Sequence, residues 1–160
     1  MSQINDNNLF SQKINVRIDD INFGNHLCHT KFINLIHNSR ALFLKQHNLS
    51  ESNCFGFGLV MLNLNIDYLS QCYFDDLLEI RLNIDKIEKV TFLLSYSMLN
   101  HNSGKIAAQA TTLMGFLDLQ KGKLKRVPTE FKDLFGQIDN NKNGSILYDD
   151  TNNREKTNYS

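Results

Sequence analysis

One segment of this chain has the residue spacing of a long helix, and the segments around it alternate as strands do. From Thr30 to about His47, apolar residues recur every three or four positions with no glycine or proline between them. These residues are too numerous for a narrow surface stripe, and no carboxylate occurs between Lys31 and His47. The pattern predicts a single long helix that is largely buried, with His29 or Thr30 near its N-cap.

Alternating apolar and polar residues predict the strands. The segment from Ile14 to Asp20 precedes the helix and has the period of a half-buried strand. Four longer segments follow the helix: Gly58 to Tyr68, Leu77 to Ile87, Val90 to Leu99 and Lys105 to Leu119. Such alternation is typical of antiparallel sheets with one face in water. A turn from His101 to Gly104 joins the last two as a hairpin, and a short helix is expected from Pro128 to about Phe135.

This order of elements predicts an α+β hotdog fold, in which an antiparallel sheet of about five strands wraps around one long central helix. We place this single domain at residues 13–137, after a polar N-terminal segment at residues 1–12. Residues 138–160 are rich in asparagine and have few apolar groups, which predicts a poorly ordered tail.

Charge and composition exclude several classes of protein. The 17 basic and 17 acidic residues cancel, so the whole molecule has no electrostatic attraction for nucleic acid or for an anionic membrane surface. No apolar run approaches the ~20 residues of a membrane span, and the first residues lack the features of a signal peptide, so we expect a cytoplasmic protein. Three cysteines without C-x-x-C spacing, and histidines without neighbouring carboxylates, predict neither disulfides nor a metal site.

The turn between the first strand and the helix has the residues for chemistry on a carbonyl group. Asp20 to Leu27 reads D-I-N-F-G-N-H-L. Gly24 lets the backbone approach a ligand closely, and the N–H groups at the start of the helix favour a bound oxyanion. The alternative is ordinary turn chemistry, in which the Asp and Asn side chains bond nearby backbone N–H groups.

This run and the helix after it resemble the hotdog-fold acyl-CoA thioesterases of the 4-hydroxybenzoyl-CoA thioesterase superfamily. The signature of that family reads approximately D-x-D-x-x-G-H-V-N-N and lies between the first strand and the central helix. The likeness extends over about residues 13–135. It implies hydrolysis of an acyl thioester, carried by coenzyme A or an acyl carrier protein, with no cofactor other than the coenzyme A of the substrate. It also implies a homodimer or homotetramer with active sites at the subunit interface.

Aligned on the histidine, the family signature assigns roles to three residues. Asp20 falls on the first motif Asp and could act as general base on water. Asn22 falls on the second Asp, which is the nucleophile or base in many members, and its amide could position the water or the thioester oxygen. His26 could shuttle protons or donate a hydrogen bond. We therefore predict Asp20, Asn22 and His26 as catalytic, with Gly24 and Asn25 binding substrate.

Two further regions are predicted to bind parts of the substrate. Gly58, Leu59 and Met61 could line an apolar tunnel for the acyl chain, although core packing would use the same residues. The basic stretch from Lys121 to Lys132 contains five cations in twelve positions. Two of its residues, Lys123 and Arg126, could meet the phosphates of coenzyme A, although a basic turn is also ordinary solubility chemistry.

Departures from the family signature leave a second function open. Asn22 and Asn38 stand where other members carry acids, which favours a non-catalytic module that binds acyl-CoA or an acyl carrier protein. Asp20 and His26 argue for the enzyme. A hotdog dehydratase is less expected, because the chain lacks a proline-rich histidine motif. Cys28 at the helix start could be a nucleophile, but a small packing residue is the simpler interpretation.

Overall fold

The computed structural model describes residues 8–136, in which one antiparallel sheet packs against two helices. The sheet has the order β1-β3-β4-β5-β2, and a short sixth strand pairs with the end of β5. The strands are β1 (Phe10–Asn15), β2 (Gly58–Tyr68), β3 (Leu77–Ile87), β4 (Thr91–Asn100), β5 (Lys105–Asp118) and β6 (Lys123–Lys125). Every pairing is antiparallel, and β2 lies at one edge of the sheet.

The long helix α1 (His29–Gln46) packs on the sheet through a stripe that includes Phe32, Ile36 and Phe43. A sheet around one long helix is the hotdog arrangement that the sequence predicts. The prediction of a largely buried helix is wrong for the single protomer, because only six of its 18 residues are buried. The opposite face, which includes His37 and Asn38, is exposed. Packing against the sheet buries one stripe of a helix and leaves the rest in water.

The first strand differs from its predicted position. The sequence predicts Ile14 to Asp20, but β1 is Phe10–Asn15, and Ile18–Asp20 forms a single 3-10 turn. The strand therefore begins within the segment that the sequence assigns to a polar N-terminus. Its far end stops early because the Asp20 carboxylate accepts the Arg17 N–H at 2.9 Å and closes the turn. Val16 is still buried, which explains why the alternation continues past the strand.

A cluster of aromatic side chains closes one end of the core. The short helix α2 (Thr129–Phe135) follows Pro128, as predicted, and buries Phe131 and Phe135. The ring of Phe131 lies 4.6 Å from that of Phe92 and 5.2 Å from that of Phe116. Phe135 reaches Phe43 of α1 at 5.3 Å. These contacts fix the last turn of α1 and the basic segment before α2 to the same part of the core.

Candidate active site

The turn before α1 is held by the residues that the sequence singles out. The Asn22 side-chain oxygen accepts the Gly24 N–H at 2.8 Å, and the Asn22 backbone N–H donates to the His26 carbonyl at 3.0 Å. Asn25 has a φ of 60°, which asparagine tolerates better than most residues. The turn chemistry weighed as the alternative is therefore present. It also brings the Asn22 amide close to His26, and both residues line the same cavity.

The glycine of this turn leaves room for the histidine ring in its present position. A Cβ at Gly24 would lie 2.9 Å from Nε2 of His26 and 3.1 Å from the side-chain oxygen of Asn22. Nδ1 of His26 is 3.3 Å from the Leu27 carbonyl oxygen. When Nδ1 carries the proton and donates to that carbonyl, Nε2 is left as an acceptor. Gly24 thus keeps space for an imidazole that presents one nitrogen toward the turn.

A cavity of about 320 Å³ lies between this turn, the N-terminus of α1 and the end of β2. The Tyr68 hydroxyl donates to the His29 carbonyl at 3.2 Å and joins the last two of these elements. The first turn of a helix has N–H groups without helical partners, and its dipole favours negative charge there. The cavity is lined by Asn22, His26, Leu27, His29, Phe32, Tyr68, Leu69, Ser70 and Gln71.

Asp20 stands beside this cavity but does not line it. One carboxylate oxygen accepts the Arg17 N–H, and the other lies 3.3 Å from Nζ of Lys31. Its backbone carbonyl accepts the Cys28 N–H at 2.9 Å. The Asp20 side chain is only 19% exposed. In this arrangement, Asp20 ties the segment after β1 to the first turn of α1, and its role as base stays a prediction.

A second cavity, of about 360 Å³, lies between the middle of α1 and the start of β2. It contains two of the predicted acyl-binding residues, Leu59 and Met61, whereas Gly58 is buried against Leu119. Its walls are mainly apolar and one end is polar. The lining residues are Ile33, Asn34, Ile36, His37, Arg40, Glu51, Leu59, Val60, Met61, Leu64, Thr112 and Met114.

The polar end of this cavity carries a charged cluster that the sequence analysis missed. One carboxylate oxygen of Glu51 forms a hydrogen bond with Nε2 of His37 at 3.0 Å. The other oxygen accepts a hydrogen bond from Nε of Arg40 at 2.5 Å. Burial opposes ionisation of Glu51, but the hydrogen bonds and charges of Arg40 and His37 outweigh it and hold the pKa of the carboxyl below its ordinary value. Positions 37 and 40 share a helix face, which was the available signal. Glu51 comes from an irregular loop and has no periodicity.

A basic cleft of about 550 Å³ lies before α2. Arg126 lines it together with three lysines, and the rings of Phe55 and Phe57 form an apolar wall. Lys123 is exposed on β6 and is not among the lining residues. Glu130 is the only acid that lines the cleft. The cluster can attract a polyanion such as the phosphates of coenzyme A.

Within one protomer, the predicted site residues fall in three separate places. Asn22 and His26 are together at the N-terminus of α1, Leu59 and Met61 lie along the middle of that helix, and Arg126 is in the basic cleft. Residues 8–136 include no group of three or more His, Cys, Asp or Glu side chains that could hold a metal ion. In the same residues, no helix is long and apolar enough to cross a membrane.

Comparison with known proteins gives one family and one fold. A model of the thioesterase-like superfamily matches residues 16–135. A curated Aquifex aeolicus (strain VF5) protein named "Putative esterase" is 25% identical over 104 residues, which are 64% of this chain and 78% of that protein.

Two solved structures extend the likeness over the whole described fold. A 1,4-dihydroxy-2-naphthoyl-CoA thioesterase from Synechocystis has a TM-score of 0.72 and 20% identity, covering 81% of this chain and 97% of the other. A hypothetical protein from Staphylococcus aureus, solved in complex with CoA, has a TM-score of 0.76 and 16% identity, covering 92% and 95%. At these identities the structures establish the shared fold.

Proposed function

The chain belongs to the thioesterase-like superfamily, and we propose that the thioester it hydrolyses is an acyl-CoA, yielding a free acid and coenzyme A. The observation that carries the proposal is the cavity at the N-terminus of α1, which Asn22 and His26 line together with His29, the first residue of the helix. The CoA complex of the Staphylococcus aureus protein and the activity in the Synechocystis protein's name support coenzyme A as the carrier.

The cavity has the groups that thioester hydrolysis requires. The N–H of His29, the first residue of α1, would hold the carbonyl oxygen as it gains negative charge, and one such donor is worth about 10²–10³ in rate. Asn22 would orient the attacking water or the thioester oxygen. The water oxygen bonds to the carbonyl carbon, the carbon–sulfur bond breaks, and the departing sulfur takes a proton. His26 is the predicted proton shuttle, and Asp20 is the predicted base.

The rest of the substrate would occupy the other two cavities. An acyl chain or ring fits the apolar walls around Leu59 and Met61. The phosphates of coenzyme A would meet Arg126 in the basic cleft and Lys123 on the strand before it. In one protomer both of these regions lie toward the start of β2, whereas Tyr68 at its other end lines the N-terminal cavity, and a second subunit would bring the two ends together.

We propose a homodimer in which two copies of β2 pair antiparallel as one continuous sheet. β2 is at the edge of the sheet, and an open edge strand is a template for pairing with another chain. Met61, Leu62 and Tyr68 on this strand are each more than 40% exposed. Antiparallel pairing places the Tyr68 end of each strand beside the Gly58 end of its partner. Each α1 N-terminal cavity then lies next to the acyl cavity of the other subunit.

The proposed activity is tested by release of free thiol from acyl-CoAs of several chain lengths and from an aryl-CoA. Wild type should release coenzyme A, and Asn22→Ala should lower kcat by about 10²-fold because the water or oxyanion loses its partner. Asn22→Asp keeps the acceptor for the Gly24 N–H and restores a carboxylate, so the rate should be retained or raised. Asp20→Ala tests the predicted base.

Asn102→Ala is a matched control, because the Asn102 side chain also accepts a backbone N–H, that of Leu77 at 2.7 Å, in an exposed turn, and Asn102 does not line the cavity. It should keep the wild-type rate. An equal loss in Asn22→Ala and Asn102→Ala would contradict a specific role for the turn.

A non-catalytic acyl-CoA binding module is the second candidate. Asn22 cannot accept a proton, and the Asp20 carboxylate is engaged by Lys31 and by the Arg17 N–H. This candidate is supported if the wild-type protein binds acyl-CoA in calorimetry and releases no thiol from any substrate.

A further inference from the structure

The cluster at the polar end of the α1–β2 cavity has the form of a histidine held by a carboxylate. Nε2 of His37 bonds Glu51, and Arg40, which is only 8% exposed, holds the other oxygen of the same carboxylate. Nδ1 of His37 makes no hydrogen bond to any residue between 8 and 136. The His37 side chain is 60% exposed, so this nitrogen is open to a ligand or a water. A buried cation, a fixed carboxylate and an open imidazole nitrogen form a potential proton acceptor.

Two imidazoles, those of His26 and His29, line the cavity at the N-terminus of α1, but in residues 8–136 neither is hydrogen-bonded to a carboxylate as His37 is. Asn22 is an amide, and Asp20 is held by Lys31 and by the Arg17 N–H. The His26 ring packs against Gly24 and lies within 3.3 Å of the Leu27 carbonyl. A hydrolase needs a group that removes a proton from the attacking water.

His37 cannot reach that cavity within its own protomer. It is eight positions beyond His29 on α1, which is a separation of roughly 12 Å along a helix with a rise of about 1.5 Å per residue. Antiparallel pairing of two β2 edges changes the distance. The Leu59 N–H already donates to the Glu51 carbonyl, so the open edge runs from about Val60 to Tyr68.

In a pairing centred on Leu64, Val60, which lines the His37 cavity, lies beside the partner's Tyr68, which lines the N-terminal cavity. The two-fold axis of such a pair is perpendicular to the sheet, so both α1 helices lie on the same face. The two kinds of cavity therefore adjoin across the interface, one from each subunit.

We propose that His37 of one protomer is the general base for the N-terminal cavity of its partner, with Glu51 as its positioning residue. This inference rests on the proposed thioester hydrolysis and on the β2 dimer. Nδ1 of His37 accepts a proton from water as the water oxygen bonds to the carbonyl carbon. The carbon–sulfur bond then breaks, and the sulfur takes that proton from Nδ1 of His37. Thioester and water become acid and thiol, and the enzyme returns to its starting protonation.

Kinetics of single variants provide the first test. His37→Gln should lower kcat by about 10²–10⁴-fold with little change in KM, because the base acts in the chemical step. It should also remove the acid limb of the kcat–pH profile. The ionisable groups that line this cavity are His37, Arg40 and Glu51. Glu51→Gln should lower kcat less, by about tenfold, and should displace that limb.

His101→Gln is the matched control for the histidine. Nε2 of His101 bonds Glu79 at 2.9 Å, and Arg81 bonds the same carboxylate, so the pair has the same chemistry on a different part of the sheet. It should keep the wild-type kcat and pH profile. The proposal is overturned if His37→Gln, with a circular dichroism spectrum and melting temperature like those of wild type, has the same kcat as His101→Gln. His37→Asn gives a second test if the glutamine variant misfolds.

Subunit mixing tests whether the base acts across the interface. His37→Gln keeps an intact turn, and the double variant Asn22→Ala, His26→Ala keeps an intact His37. Unfolded and refolded together in equal amounts, the two inactive proteins should recover about one quarter of the wild-type rate, because half of the dimers are mixed and each has one complete site.

Mixed dimers, isolated with two different affinity tags, that show no recovered activity would overturn transfer across the interface. An active protein that is monomeric by light scattering would overturn it as well. Failure of the proposed function is separate: wild type would then release no thiol at all, and the role of His37 falls with it. Hydrolysis by wild type together with full activity in His37→Gln overturns the His37 role alone.

Discussion

The three thiols of the chain differ in reactivity because their surroundings differ. Cys28 is half-buried at the N-cap of α1, where its sulfur lies 3.3 Å from the Thr30 hydroxyl. That hydrogen bond, with backbone N–H groups of the first turn, lowers the pKa of the Cys28 thiol. Burial raises the pKa of Cys54 to about 12 and that of Cys72 to about 11. The reactive thiol is thus the one beside the candidate active site.

In the native protein, one thiol per chain should react with a chromogenic disulfide reagent at neutral pH. The other two should react only in denaturant, because burial disfavours their thiolates. Cys28→Ser should abolish the fast reaction, and Cys54→Ser should leave it unchanged. Two thiols of equal rate in the native protein would contradict this order of reactivity.

At the scale of elements, the Glu51 ion pairs fasten the loop between α1 and β2 to the helix. Glu51 bonds Arg40 and His37 through its side chain, and its carbonyl accepts the Leu59 N–H at 2.7 Å. The pKa of the Glu51 carboxyl is lower in the folded protein than its ordinary value of 4.5. The unfolded chain therefore binds more protons in this range. The stabilisation is fully present above pH 4.5 and is lost as the pH falls through the lower folded value.

Acid titration of stability checks this link. The free energy of unfolding of wild type should fall as the pH is lowered below 4.5. Glu51→Gln should be less stable than wild type at pH 7 and should lose less stability on acidification, because it has no carboxylate to protonate. Urea unfolding at a series of pH values measures both. Glu130→Gln, which removes an exposed carboxylate from α2, should keep the wild-type slope.

At the scale of the whole molecule, exposed apolar side chains are concentrated near the free edge of the sheet. Met61, Leu62 and Tyr68 lie on β2 and Leu69 directly follows it, each more than 40% exposed. Exposed apolar groups in one region are typical of an interface. Their position beside the N-terminal cavity agrees with the proposed pairing of two β2 strands.

A charge on this edge should separate the proposed dimer. Wild type should have twice the mass of one chain in light scattering, and Leu62→Lys should raise the dissociation constant at least about tenfold, because lysine on an edge strand opposes pairing. Leu134→Lys is a matched control, since Leu134 on α2 is 46% exposed and Leu62 is 44% exposed. A wild-type monomer, or equal weakening by both variants, would contradict the pairing.

The sequence by itself determined the elements whose own residues carry the pattern. The bounds of β2 and β3 match their alternation, α1 matches its apolar spacing within one residue at either end, and α2 begins after Pro128 as expected. The turn from Asn22 to His26 was found from its residues too, because a short loop is held by bonds among neighbours in the chain. Local geometry is encoded locally.

Only the tertiary structure decided what lies between elements. The Asp20 carboxylate lies beside Lys31 of α1 and does not line the cavity. Glu51 met His37 and Arg40 across a loop that has no periodic signal. The predicted substrate residues lie in separate places, with Leu59 and Met61 at the start of β2 and Arg126 in the basic cleft, because they come from segments that pack in different parts of the fold. Side-chain partners from distant segments depend on packing, and no local pattern records them.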